Sequence, residues 1–162
     1  MDISRKTDYA FRILAMLVGS KGSLLSVRTA AEEMDVPYSF ARSIQHELTK
    51  VGFIESLRGV RGGMRLKIDP ASITVNDIIE AMQGPLVVNK CLKDGKPCPR
   101  RESCCYHPIW IGAKALLRDY LSSVTLEEAV NCKRNPCVNS KFTKRSEFPN
   151  YVSRENEYIT GK

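Results

Sequence analysis

The stretch 26–51 constrains the fold of this chain most, because two short apolar stripes at helical spacing meet there at a break, Asp35-Val36-Pro37. Ser26 is a natural N-cap for a helix over 27–34, with Val27, Ala30, Ala31 and Met34 on its inner side. Pro37 disfavours helical geometry for Val36 yet fits the first turn of a new helix. Phe40, Ala41, Ile44, Leu48 and Val51 then supply a second stripe, expected to be buried. Upstream, Ala10, Ile13, Leu14, Leu17 and Val18 predict a helix over 7–19, stopped by Gly19 and Gly22. Two helices joined by a turn of about four residues form the pattern of a helix-turn-helix.

Beyond Gly52, residues 53–57 and 64–68 alternate in character and predict two short strands. Between them Arg58-Gly59-Val60-Arg61-Gly62-Gly63 carries three glycines for tight turning and two arginines at the tip, and Arg65 and Lys67 extend the basic run. This is the pattern of a wing. Glycine-rich loops also cradle nucleotide phosphates, but no Lys-Ser/Thr follows this one and no βαβ pattern surrounds it, which argues against a nucleotide site.

Thr74 caps a predicted helix over 75–83, with Asp77 in its first turn and Gly84 as its stop. Residues 85–107 read as a loop holding four of the six cysteines. From Pro108 a stronger helix follows, and Ile109, Trp110, Ala113, Leu116, Leu117, Tyr120, Leu121 and Val124 give it an apolar stripe wider than a small winged domain needs. Dimerisation is the role that width suggests, with a core helix of the same chain as the alternative. Thr125-Leu126-Glu127-Glu128 is a capping box for a last short helix, and the polar, basic remainder reads as a disordered tail.

The expected fold is therefore mainly α with a small two-stranded β wing: a winged helix-turn-helix plus a long C-terminal dimerisation helix. Its divisions are a DNA-binding domain over 1–84, a cysteine-rich loop over 85–107, the dimerisation and capping helices over 108–131, and the tail over 132–162.

The longest apolar run, 13–18, is far short of the roughly 20 residues a membrane helix needs. The amino terminus lacks the apolar stretch of a secretory signal, so the expected location is the cytoplasm. Six cysteines in a reducing compartment suggest metal or redox chemistry rather than a disulfide framework. The formal net charge of +7 favours an anionic partner. Residues 1–70 hold 11 Lys/Arg against 8 Asp/Glu and residues 131–162 hold 7 against 3, so the two ends carry the excess.

A helix-turn-helix reads bases with polar side chains near the start of its second helix, the end that enters the major groove. Tyr38, Ser39, Arg42, Ser43, Gln45 and His46 lie off the apolar stripe there, and Arg28 on the preceding helix joins them as a candidate contact. Arg42 can donate two bonds to guanine and Gln45 can pair with adenine, while Arg58 and Arg61 suit phosphates or a narrow minor groove. A solvated polar face is the plain alternative for any one of them.

Cys91, Cys98, Cys104, Cys105 and His107 form the second candidate site. No Cys-x-x-Cys pair is present, against a zinc ribbon or a thioredoxin-like site. Spacing alone leaves zinc, an iron-sulfur cluster and an oxidation-prone thiol group open. Cys132 and Cys137 sit apart in the tail and read as accessory or incidental. No nucleophile-base-orienter set accompanies either histidine, so an enzyme and a small-molecule substrate are not expected.

Over about 1–131 these features resemble the Rrf2 family of bacterial winged-helix repressors. The resemblance is carried by Thr7-Asp8-Tyr9-Ala10, by Ser56-Leu57-Arg58-Gly59-Val60-Arg61-Gly62-Gly63, by Ile73-Thr74-Val75-Asn76-Asp77-Ile78-Ile79 and by the spaced cysteines. It implies a cytoplasmic homodimer on a palindromic double-stranded DNA operator, with an iron-sulfur cluster whose state tunes DNA affinity. Cys91, Cys98 and Cys104 match the family's three thiolate ligands, although six residues separate the first two instead of five, and Cys105 is an alternative to Cys104. Two fourth ligands are implied. His107 matches the branch that regulates iron-sulfur assembly through a 2Fe-2S cluster, and Asp8, from the partner chain, matches the nitric-oxide-sensing branch with a 4Fe-4S cluster. Asp8 is also what a helix N-terminus favours, and His107 could serve as a cap. The competing functions are a clusterless regulator of this fold with a thiol or zinc sensor, and a small iron-sulfur redox protein.

Overall fold

The computed structural model describes residues 2–59, 62–93 and 98–131. Helix α1 spans Arg5–Gly19, α2 Val27–Glu33 and α3 Tyr38–Lys50. Strands β1 (Ile54–Leu57) and β2 (Gly63–Leu66) follow, then α4 (Val75–Gln83), α5 (His107–Ser122) and α6 (Leu126–Asn131). Two short 3-10 turns, Pro70–Ser72 and Lys90–Leu92, precede α4 and α5 respectively.

Side-chain caps set most of these boundaries. Ser4 Oγ accepts the Thr7 amide at 3.2 Å, so α1 starts at Arg5, two residues before the apolar spacing predicts. Ser26 Oγ does the same for the Thr29 amide at 3.0 Å. At α4 a reciprocal box joins Thr74 Oγ1 to the Asp77 amide (3.1 Å) and Asp77 Oδ2 to the Thr74 amide (2.9 Å). Thr125 and Glu128 repeat that arrangement at α6. Between α2 and α3, Asp35 takes a left-handed conformation (φ 51°) and Val36 turns inward, its amide donating to the Ala31 carbonyl at 2.9 Å.

One core joins these elements. Ala10, Ile13, Leu14 and Leu17 of α1 are fully enclosed together with Ala30, Ala41, Ile44, Leu48, Ile54, Met64 and Ile78. The last short helix returns to the same core: Leu126 is buried there, its amide donates to the Ile73 carbonyl at 2.7 Å, and the Val75 amide donates to the Val124 carbonyl at 2.9 Å. The two strands pair antiparallel with Ile54 opposite Leu66 and Leu57 opposite Gly63. Met64 also exchanges hydrogen bonds with Leu25 at 2.8 and 3.0 Å, which fixes the wing's root to the strand-like entry into α2.

Several expectations are corrected. Phe40 and Val51 do not join the buried stripe of α3; they are 39% and 43% exposed. Ala41, Ile44 and Leu48 form the buried stripe, Phe40 lies at its edge, about 40° around the helix from Ile44, and Val51 is the cap residue. Phe40 instead meets the edge of the Tyr9 ring, centroids 5.5 Å apart. Strand β2 begins at Gly63 and ends at Leu66. Helix α5 begins at His107 rather than Pro108, and only His107 is buried along its 16 residues. Ile109 and Leu116, placed in the apolar stripe, are 58% and 48% exposed, so α5 is not a core helix of a single chain. Among the described residues no helix is long and apolar enough to cross a membrane.

Candidate nucleic-acid interface and cysteine loop

The exposed side of α3 and the inner side of the wing face each other across an open groove of about 670 Å³. Arg28, Tyr38, Arg42, Gln45, His46, Thr49, Ser56 and Arg58 line it. Ser39 and Ser43 lie exposed on α3 outside the groove wall. Arg28 is held from α2 with its guanidinium 5.4 Å from the Tyr38 ring centroid, a cation-π contact that spans the helix-turn-helix. The ion pairs found among the described residues engage Lys6, Arg12 and Arg65; Arg42 and Arg58 enter none of them. Their charge stays available to an anionic partner. Arg61 lies outside the described residues.

The basic run of the wing is shorter in space than in sequence. Antiparallel register sets Glu55 opposite Arg65, and Arg65 Nε donates to Glu55 Oε1 at 2.6 Å. That pairing engages the Arg65 guanidinium, whereas Arg58, also on the wing, enters no ion pair among the described residues. Glycine at the wing base is a packing requirement: a Cβ on Gly63 would stand 2.7 Å from the Leu25 carbonyl oxygen, and one on Gly62 would collide with the Leu57 carbonyl. Gly59 turns the tip at φ 114°, a conformation that favours glycine.

Thr49 and Ser56 also line the groove, and the sequence pattern assigned neither of them to it. Gln45 Nε2 donates to Ser56 Oγ at 3.1 Å, Thr49 Oγ1 donates to the Gln45 carbonyl at 2.7 Å, and the two hydroxyls stand 3.1 Å apart. The available signals were small: Thr49 sits one turn after Gln45, and Ser56 falls on the outward side of a predicted strand.

In the cysteine loop, Cys91 lies in the 3-10 turn that packs on α5, and Cys91, Cys98 and Cys104 are half-buried free thiols. Cys105 is exposed. The His107 amide donates to the Cys104 carbonyl at 3.2 Å, which places those two residues in one turn. His107 is 9% exposed, and its Nδ1 is buried without a hydrogen-bond partner. Among the described residues, no three His, Cys, Asp or Glu side chains come together closely enough to hold a metal ion. Asp8 is distant from this loop in sequence, exposed in the first turn of α1, and engaged by Arg12 at 2.7 Å. Cys132 and Cys137 lie outside the described residues.

A chain of polar contacts ties the exit of α4 to the start of α1. Gln83 Oε1 accepts from Thr7 Oγ1 at 2.7 Å and from the Ser4 amide at 2.9 Å, while its Nε2 donates to the Asp2 carbonyl at 3.1 Å. In the same first turn of α1, Lys6 pairs with Glu47 of α3. The start of α1 therefore touches both the last residue of α4, Gln83, and the helix that lines the groove.

A helix-turn-helix with a glycine-built wing and a cation-lined groove defines a DNA-binding regulator class. The comparison with protein families agrees: residues 3–132 match the Rrf2 family, described as an iron-dependent transcriptional regulator, and the chain belongs to that family. Among its relatives, the transcriptional regulator NsrR of Shouchella clausii is 27% identical over 80% of this chain and 89% of its own. The regulator IscR of Vibrio vulnificus is 26% identical over 81% of this chain and 78% of its own. The solved structure of CymR, the global cysteine regulator of Bacillus subtilis, superposes with a TM-score of 0.64 at 28% identity, covering 80% of this chain and 96% of that one. These three differently named regulators are similar to this chain to nearly the same degree, so likeness alone does not select a signal.

Proposed function

We propose that this chain is an operator-binding transcriptional repressor, active as a homodimer, whose DNA affinity is set by an iron-sulfur cluster on Cys91, Cys98, Cys104 and His107. The observation that carries the cluster reading is the buried His107 Nδ1 without a hydrogen-bond partner, in the same turn as Cys104. A buried polar nitrogen left unpaired costs about 1–3 kcal/mol, and ligation would satisfy it. Asp8 offers no such vacancy, since its carboxylate already pairs with Arg12. Cys104 is preferred to the exposed Cys105 because it is half-buried and its carbonyl accepts the His107 amide in the same turn. When bound, the cluster supplies one-electron chemistry and lability towards oxidants and nitric oxide.

The protein's own residues carry the rest. Arg42 and Gln45 of α3 face base edges, Arg28 and Arg58 face phosphates, and Tyr38, Ser39 and Ser43 flank them at the start of the reading helix. Arg61 is assigned to the same wing contact from sequence. Gln83 passes a change in the loop to Ser4 and Thr7, and the Lys6–Glu47 pair passes it from α1 to α3. The exposed apolar side of α5, with Ile109, Ile111 and Leu116, is the surface for a second copy. Two recognition helices would then address half-sites about 34 Å apart.

Anaerobic purification with iron and sulfide quantification tests the reading. About two irons per chain, lost in Cys98→Ala and His107→Ala, is the expected result. About four irons, unaffected by His107→Ala but lost in Asp8→Ala, would move the fourth ligand to Asp8. Zinc alone, or no metal, would overturn the cluster and leave the DNA-binding reading standing.

A further inference from the structure

We infer that Ser56 and Thr49 are positioning residues for base reading, whose hydroxyls hold the Gln45 amide in one orientation so that it presents an adenine-matching edge to the groove. The inference rests on the DNA-binding reading above and adds a specificity device to it.

Proton counting fixes the direction of the ring. A backbone carbonyl only accepts, so the single hydroxyl proton of Thr49 goes to the Gln45 carbonyl at 2.7 Å. Across the 3.1 Å to Ser56, Thr49 Oγ1 can then only accept, and Ser56 must donate its own single proton there. What Ser56 Oγ turns towards Gln45 is a lone pair. The amide nitrogen therefore occupies the 3.1 Å contact, because a flipped amide would set oxygen against oxygen. Gln45 Oε1, an acceptor, and the second N–H of Nε2, a donor, remain for a ligand.

That remaining edge complements adenine, which shows a donor at N6 and an acceptor at N7 in the major groove. It opposes guanine, whose O6 would meet Oε1. A freely rotating amide imposes no such constraint, so the discrimination depends on the hydroxyls that hold it. All three groups sit on well-anchored elements. Gln45 and Thr49 are one turn apart on α3, and Ser56 lies on β1 opposite Met64, which is fully buried.

The test begins with selection of a binding sequence from a random double-stranded DNA library by the full chain, followed by competition titrations with every single base-pair variant of that sequence. Gln45→Ala should flatten discrimination at one adenine position per half-site by roughly tenfold. Ser56→Ala and Thr49→Val should flatten the same position, Ser56→Thr should restore it, and all should keep the wild-type salt slope and melting temperature. Full discrimination retained in Ser56→Ala, flattening at a position other than that of Gln45, or failure of Ser56→Thr to restore it would overturn the positioning role while leaving DNA binding intact. Failure of the wild-type chain to select any sequence would overturn both.

Discussion

Replacing Arg58 with alanine separates a phosphate contact from general basicity. Arg58 is exposed at the groove mouth and enters no ion pair among the described residues, so its removal leaves the fold and the neighbouring charges as they are. One phosphate contact contributes about 0.9 to the slope of log K against log salt. Between 50 and 200 mM salt that slope is worth about 3.5-fold, so the affinity advantage of wild type over Arg58→Ala should shrink by about 3.5-fold across that range. Arg65→Ala is the internal control. Its guanidinium is already held by Glu55, so its slope should change by much less, and Glu55→Gln should steepen the slope by releasing Arg65. Fluorescence anisotropy with a selected DNA duplex at four or five salt concentrations measures all four proteins. Parallel lines for wild type and Arg58→Ala would refute the contact, and equal losses for Arg58 and Arg65 would refute the argument from pairing.

Other consequences follow from packing and from the contacts around α1. Gly63→Ala places a Cβ against the Leu25 carbonyl and should destabilise by about 1–3 kcal/mol, a loss of roughly 3–10 °C in melting temperature by calorimetry. An unchanged melting temperature would mean that the wing root yields. Thr74→Ala removes half of the α4 capping box and should cost about 1 kcal/mol in a urea titration, with the midpoint shifted and the slope retained. Gln83→Leu breaks the tie between the end of α4, which leads into the loop, and α1; cluster content should stay at the wild-type level while the DNA affinities of the loaded and cluster-free forms converge. Preserved affinity differences in that variant would show that the signal travels by another route.

The helix-turn-helix and the wing were legible in the sequence because local rules write them. Caps at Ser26, Thr74 and Thr125, the turn at Asp35 to Pro37, and the glycines at 62 and 63 each act within a few residues of the geometry they set. What depended on distant partners was not legible. The contact of Phe40 with Tyr9 depends on how α1 meets α3, and the pairing of Arg65 with Glu55 follows from strand register. Gln83 reads as an ordinary helix end until α1 is seen to lie beside it. The cysteine loop shows both sides: its donors were visible as residue types, whereas the burial of His107 depends on how α5 meets the rest of the chain.

The central claim is that the state of the cysteine loop sets the affinity of α3 and the wing for DNA. The direct measurement is an anaerobic titration of a selected operator duplex with the chain as purified, repeated after quantitative cluster removal and again after cluster rebuilding. The account predicts affinities that differ by about tenfold or more, within the 1–3 kcal/mol of typical coupling between sites, and that return on rebuilding. Identical binding curves for a chain shown to hold and then lose its iron would contradict it.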